Sequence, residues 1–285
     1  MAKAEVRNPA VAGMFYEGGQ SALKRQIEEC YTEPRGPGAL PAVADDGPRR
    51  VLGLVSPHAG YMYSGPGAAK GFARLAEDGR PEVFVIIGPN HGRGQLVGAI
   101  QTAGSWATPL GASPIATEIA GTVAGRCPSL QPGAMGFTGE HSIEVQLPFI
   151  QHLYGTETPI VPIMMLDQSL GEAQDVGEAL AAALEGKDAV IVASTDMTHF
   201  ETAARAGEQD VVLIERIEAL DAEGLLRERQ ARRITMCGYG PVAAMLIAAK
   251  ALGATTAKRV EYTNSGAVGD RSEVVAYLTM TVEKE

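Results

Sequence analysis

The sequence predicts a single α/β domain, a mixed, mostly parallel sheet flanked by helices. Three observations lead there. Short, non-alternating apolar runs at Val51–Ser56 (VLGLVS), 82–88 (EVFVIIG) and 188–194 (DAVIVAS) read as strands buried on both faces. Segments with helical spacing or Ala-rich composition separate these runs. The length of 285 residues, 45% of them hydrophobic, allows one large domain with a sizeable core.

Taken in order, residues 7–16 (RNPAVAGMFY) are turn-rich and form an irregular arm. Leu23, Ile27 and Tyr31 give helical spacing over 18–31. The stretch 34–49, rich in Pro, Gly, Ala and Asp, is a long surface loop, because too little chain precedes it to fold alone. A strand at 51–56, a helix at 67–76, a strand at 82–88 and a helix at 113–124 follow. Ile143, Leu147, Ile150 and Leu153 share one helical face, which Pro148 interrupts. Strands at 159–164 (PIVPIM) and 188–194 bracket a helix at 171–184. Two helices fall within 203–230. Another, behind Gly238, Gly240 and Pro241, runs over 237–252. Strands at 259–263 and 273–282 close the chain, and their pairing as a hairpin would make the sheet mixed.

The net charge of −10 argues against nucleic acid and anionic membrane as partners. No segment approaches the roughly 20 uninterrupted apolar residues of a membrane helix. Residues 1–9 contain no apolar run of a secretory signal. Cys30, Cys127 and Cys237 form no CxxC pair and read as reduced thiols of a cytoplasmic protein.

Chemistry collects after the apolar runs. Pro57-His58-Ala59-Gly60-Tyr61 follows the first, Pro89-Asn90-His91-Gly92 the second, and Thr195-Asp196-Met197-Thr198-His199 the third. Ligands of open α/β sheets bind outside the carboxyl ends of the strands, so three strands each deliver a histidine to one edge. Gly and Pro beside His58 and His91 fix tight turns, and neutral imidazole suits Fe, Zn or Cu. Asp196 and His199, three apart, read either as the capped start of the next helix or as a functional pair in which His199 is the acid or base and Asp196 orients it or supports the site from behind. Cys237 reads either as a small buried residue or as a thiol whose pKa a helix N-terminus lowers. Glu140 reads either as a helix cap or, with His141, as a hydrogen-bonding wall of the pocket. The phenols of Tyr61 and Tyr63 could reach a substrate or simply pack. His152, Cys30 and Cys127 read as surface or structural. Phosphate-loop, dinucleotide and nucleophile-elbow signatures are absent.

These motifs, in order, resemble the Memo family: AVAGMFY, SPHAGYMYSG, GPNHG, GEHSIEVQLPF, VPIMM, STDMTHF, CGYGPV and YTNSGAVGD. Each is short; the ordered set spans about Pro9 to Tyr277, so residues 1–285 are expected to form one Memo-like domain. The bacterial and archaeal members are also called AmmeMemoRadiSam system protein B. The resemblance implies a fold similar to class III extradiol (LigB-type) non-haem iron dioxygenases, and association with AMMECR-type and radical SAM proteins. It makes His58, His91 and Cys237 the metal ligands and His199, with Asp196 beside it, the catalytic acid/base. It also matches Glu140 and His141 to the family's pocket segment, and with Tyr61 and Asn90 from the neighbouring turns these make up the expected substrate pocket. The expected function is a dioxygenase-like oxidoreductase holding Fe(II), with Cu or Zn as alternatives, acting on a small molecule or peptide. A non-catalytic partner-binding module and a zinc hydrolase are the rivals. One departure from the dioxygenases matters: a cysteine replaces the carboxylate of their two-histidine, one-glutamate set. Thiolate is softer and more oxidisable, which favours Cu(I) or Zn relative to Fe(II).

Overall fold

A computed structural model describes residues 5–92 and 98–285. The strands are β1 (Val6–Arg7), β2 (Val51–Ser56), β3 (Val83–Pro89), β4 (Gly98–Ile100), β5 (Ser105–Thr108), β6 (Gly111–Pro114), β7 (Leu130–Pro132), β8 (Ile160–Met165), β9 (Ala189–Ser194), β10 (His199–Glu201), β11 (Thr256–Asn264) and β12 (Val274–Glu283). The helices are α1 (Gln20–Thr32), α2 (Tyr61–Glu77), α3 (Thr117–Arg126), α4 (Leu147–Tyr154), α5 (Leu170–Leu184), α6 (Ala203–Glu218), α7 (Ala222–Arg232) and α8 (Tyr239–Ala251).

One mixed sheet organises the chain, in the order β10-β12-β2-β9-β3-β8-β4-β7, with β11 paired to β12. Its centre, β2-β9-β3-β8, is parallel, and β12 and β4 run antiparallel on either side. The predicted terminal hairpin forms as β11 and β12. Every residue of β2, β3, β8 and β9 is buried, as their unbroken apolar runs require. Leu54 packs on α2 at Gly71, while its neighbour Gly53 lies under Met245 of α8. Successive residues of a strand face opposite ways, so α2 and α8 cover opposite faces of the sheet.

Several segments differ from the sequence expectation. The α2 helix starts at Tyr61, six residues early, and carries Pro66 within it. The carbonyl of Met62, which Pro66 leaves without its helical donor, accepts instead from Arg35 Nη1 at 3.3 Å. The helix expected over 113–124 shrinks to Thr117–Arg126, because 111–114 forms β6 of a small three-stranded sheet, β1-β5-β6. Pro148 stands in the first turn of α4, where its missing N–H costs nothing, so it begins the helix rather than kinking it. No helix among the described residues is long and apolar enough to cross a membrane.

Candidate metal centre

The strands β2, β9 and β3 are consecutive in the sheet and parallel, so their carboxyl ends lie side by side. His58 stands two residues past β2, His91 two past β3, and Asp196 two past β9. The β9–β10 turn donates its Asp196 N–H to Cys237 Sγ at 3.1 Å, and Cys237 N–H donates to the Asp196 carbonyl at 3.2 Å. Gly238 makes this approach feasible, since a Cβ there would lie 2.4 Å from the Ser194 carbonyl oxygen. Gln168 holds the same segment from behind, donating to the Cys237 carbonyl at 2.9 Å and accepting from Gly240 N–H at 2.8 Å.

The result is a compact donor set. One ligand atom each from His58, His91 and Cys237 lie within 4.8 Å of one another. Cys237 Sγ is 3.2 Å from His58 Nε2, and the His58 and His91 rings sit edge-to-face at 5.2 Å. His141 joins the cluster, 4.8 Å from the His91 ring and 5.5 Å from that of His58, and packs against Phe15 at 4.6 Å. Two imidazoles and one thiol at this spacing fit a soft or borderline cation.

The outer nitrogens are tied back. His91 Nδ1 is 3.0 Å from Glu140 Oε1, and its backbone N–H donates to Oε2 at 2.7 Å. A carboxylate only accepts, so Nδ1 carries the proton and Nε2 presents its lone pair. Glu140 also accepts from the N–H groups of His141 and Ser142. Burial opposes its charge, yet these donors with the His91 and His141 rings hold its carboxyl well below the usual range. His58 is kept neutral: burial, then the neighbouring His141 and His91, lower its pKa well below that of free imidazole. Asn90 Oδ1 accepts from Gly92 N–H at 2.8 Å, and Gly92 takes φ +78°, so the two residues shape the turn that presents His91.

A cavity of about 640 Å³ opens over His58, His91, His141, Asp196 and His199, walled by Phe15, Tyr63, Phe200 and Tyr277. His199 lies outside the donor group. Its Nδ1 is 3.1 Å from the Thr235 carbonyl, which fixes the proton there and leaves Nε2 as the acceptor.

Several expectations need correction. Asp196 does not orient His199; it accepts from the backbone N–H of His58 at 2.8 Å, and Thr235 positions His199 instead. The segment after β9 opens no helix, since His199 starts β10 and α6 is capped by Thr202. Tyr61 is no pocket residue: it is 2% exposed, its hydroxyl donates to the Val145 carbonyl, and Tyr63, two positions along α2, faces the cavity. Asn90 and Glu140 likewise lie outside the cavity wall, the first in the turn and the second beneath His91. The Cys237 thiol is raised rather than lowered, because burial and then the Asp196 charge outweigh the helix end. Sequence reasoning missed Phe15, Tyr277, Ser194 and Thr235; only their long-range partners identify them.

Fold and site together define a class: an α/β protein with a histidine-lined cavity at the carboxyl edge of its parallel strands and a cysteine beside two of those histidines in a group that could hold a metal ion. The sequence pattern of the Memo-like protein family matches residues 7–281, and the chain belongs to that family. It is 44% identical over 282 residues to a MEMO1 family protein of Methanopyrus kandleri, covering 98% of this chain and 99% of that one. A MEMO1 family protein of Methanothermobacter thermautotrophicus is 45% identical over 276 residues, covering 95% and 98%. A crystal structure of an uncharacterised protein of Escherichia coli K12 shares the fold with a TM-score of 0.50 at 15% identity, over 81% of this chain and 99% of that one.

Proposed function

We propose that this Memo-family chain is a metal-dependent, dioxygenase-like oxidoreductase whose metal is held by His58, His91 and Cys237. The observation that carries the reading is the convergence of those three ligand atoms within 4.8 Å, with the His91 ring locked by a buried carboxylate. Fe(II) is the first candidate, with Cu or Zn as alternatives because thiolate is a soft ligand. When bound, the metal would supply a Lewis-acid and redox centre at the inner end of the cavity.

The chain's own groups support the rest. Burial lowers the pKa of His199, so its ring is neutral near pH 7 and its Nε2 can take a proton from a substrate. Burial raises Asp196 to about 7, so it can hold or release a proton at working pH beside His58. The aromatic walls give the cavity an apolar lining that suits a small molecule or the end of a peptide. AMMECR-type and radical SAM proteins are the partners to test, and three free cysteines suit a reducing cytoplasm.

Element analysis of protein purified without air tests the reading. Stoichiometric iron or copper with O₂ uptake supports it, and Cys237→Ser is expected to weaken metal binding far more than Cys30→Ser. Zinc with water-driven turnover would favour a hydrolase. Absence of metal, with partner binding indifferent to His58→Ala, would leave a binding module.

A further inference from the structure

Ser194 ends β9 fully buried, and its hydroxyl has three close neighbours. The oxygen lies 2.5 Å from the Ser142 carbonyl, 2.9 Å from Gln146 Nε2 and 2.9 Å from His58 Nδ1. A carbonyl only accepts, so the single hydroxyl proton goes to Ser142. Gln146 Nε2 also lies 2.9 Å from the Pro57 carbonyl, which identifies that atom as the amide nitrogen. One of its N–H groups goes to Pro57 and the other to Ser194. The hydroxyl has then given its only proton and filled one lone pair. Its remaining lone pair faces His58, so Nδ1 must be the N–H and Nε2 must carry the lone pair.

We propose that Ser194, made a pure acceptor toward His58 by Gln146 and the Ser142 carbonyl, is the positioning residue that sets the His58 tautomer. Its consequence for metal binding rests on the metal-site reading; the tautomer itself does not. The opposite tautomer would aim an N–H from Nε2 at Cys237 Sγ, 3.2 Å away. That bond would remove the nitrogen lone pair and point a proton at the sulfur, so His58 would be lost as a ligand and a cation would have to displace that N–H to reach Cys237. With Nδ1 protonated, the proton between Nε2 and Sγ belongs to the thiol, and a cation can replace it. His91 and His199 reach the same state through Glu140 and the Thr235 carbonyl, groups that can only accept. A hydroxyl can either donate or accept, so Ser194 needs the amide of Gln146, itself 1% exposed, to remove its ambiguity.

Imidazole ¹⁵N NMR of the metal-free protein, with His58 assigned by loss of its signals in His58→Gln, reads the tautomer directly. The wild type is expected to show Nδ1–H, and Ser194→Ala to move His58 to Nε2–H while His91 keeps its pattern. In parallel, Co(II) titration followed by thiolate-to-metal absorption should show affinity falling about 10- to 100-fold in Ser194→Ala. Ser194→Thr, which keeps the hydroxyl, should restore both readouts. A wild-type His58 with Nε2–H overturns the proposal without any variant, and so does a Ser194→Ala protein with unchanged tautomer and Co(II) affinity. If the wild type takes up no Co(II) while the tautomer still follows Ser194, the metal reading fails and the positioning role stands.

Discussion

At Cys237, burial and ligation pull in opposite directions. Burial and the nearby Asp196 push the thiol above its usual range, although the Asp196 N–H points at the sulfur from 3.1 Å. Without metal the thiol is protonated at neutral pH, and an incoming cation must displace that proton. Metal binding is therefore expected to release about one proton per site and to tighten as pH rises. Calorimetry in buffers of different ionisation enthalpy measures the release; affinity independent of pH between 6 and 8 would contradict it. Asp196 makes a separate prediction. Its pKa rises from 3.8 to about 7 on burial, so between these values the folded metal-free protein holds more protons than the unfolded chain. The Asp196 contribution to stability then falls as pH rises through that window, while the lowered pKa values of His58 and His199 act in the opposite sense below 6.5. The test is therefore a difference: in urea unfolding, wild type is expected to lose stability between pH 5 and pH 8 relative to Asp196→Asn, which keeps an oxygen to accept from His58 N–H, and parallel pH profiles would contradict it. His58, His91, His199 and Cys237 were legible as one pocket because each follows a strand or precedes a helix at one sheet edge; only the family resemblance separated His58, His91 and Cys237 as expected ligands. The partner of Asp196 was not legible, because a carboxylate three residues from a histidine is free to turn toward a backbone N–H from another strand.

Among the elements, the arm before α1 is held by a carboxylate from the far side of the chain. Glu144, fully buried, accepts from Ala10 N–H at 2.7 Å, Val11 N–H at 3.0 Å and Tyr16 hydroxyl at 2.6 Å, and pairs with Arg7. Arg7 in turn donates to the Glu140 carbonyl at 2.5 Å and lies over the Trp106 ring. This clamp seats Phe15 against His141 and so builds one wall of the cavity. Glu144→Ala would leave a guanidinium, a phenol and two amides buried without their acceptor, an expected loss of roughly 3–5 kcal/mol in urea unfolding. A loss below about 1 kcal/mol would mean that the arm is held by other contacts. The turn-rich composition of 7–16 identified an irregular segment, but not its acceptor, which lies some 130 residues away in sequence.

For the whole molecule, the candidate donor set joins the turns after β2 and β3 to the start of α8, so a cation held there would tie those three elements together. A metal that binds only the folded chain is expected to stabilise it by about 2.7 kcal/mol at a concentration 100 times its Kd. Thermal unfolding of metal-free and metal-loaded protein measures this, and the gain should vanish in Cys237→Ser. An equal gain in that variant would place the cation elsewhere. By itself the sequence determined the α/β class, the buried central strands, the terminal hairpin and the family. Apolar runs record burial on both faces, and ordered motifs record descent. Only the tertiary structure decided the strand order that inserts β9 between β2 and β3, the exchange of Tyr61 for Tyr63 at the cavity, and the hydroxyl that dictates the face His58 shows to Cys237. Burial periodicity is a local property of the chain. Which acceptor a given N–H finds depends on residues tens to hundreds of positions away.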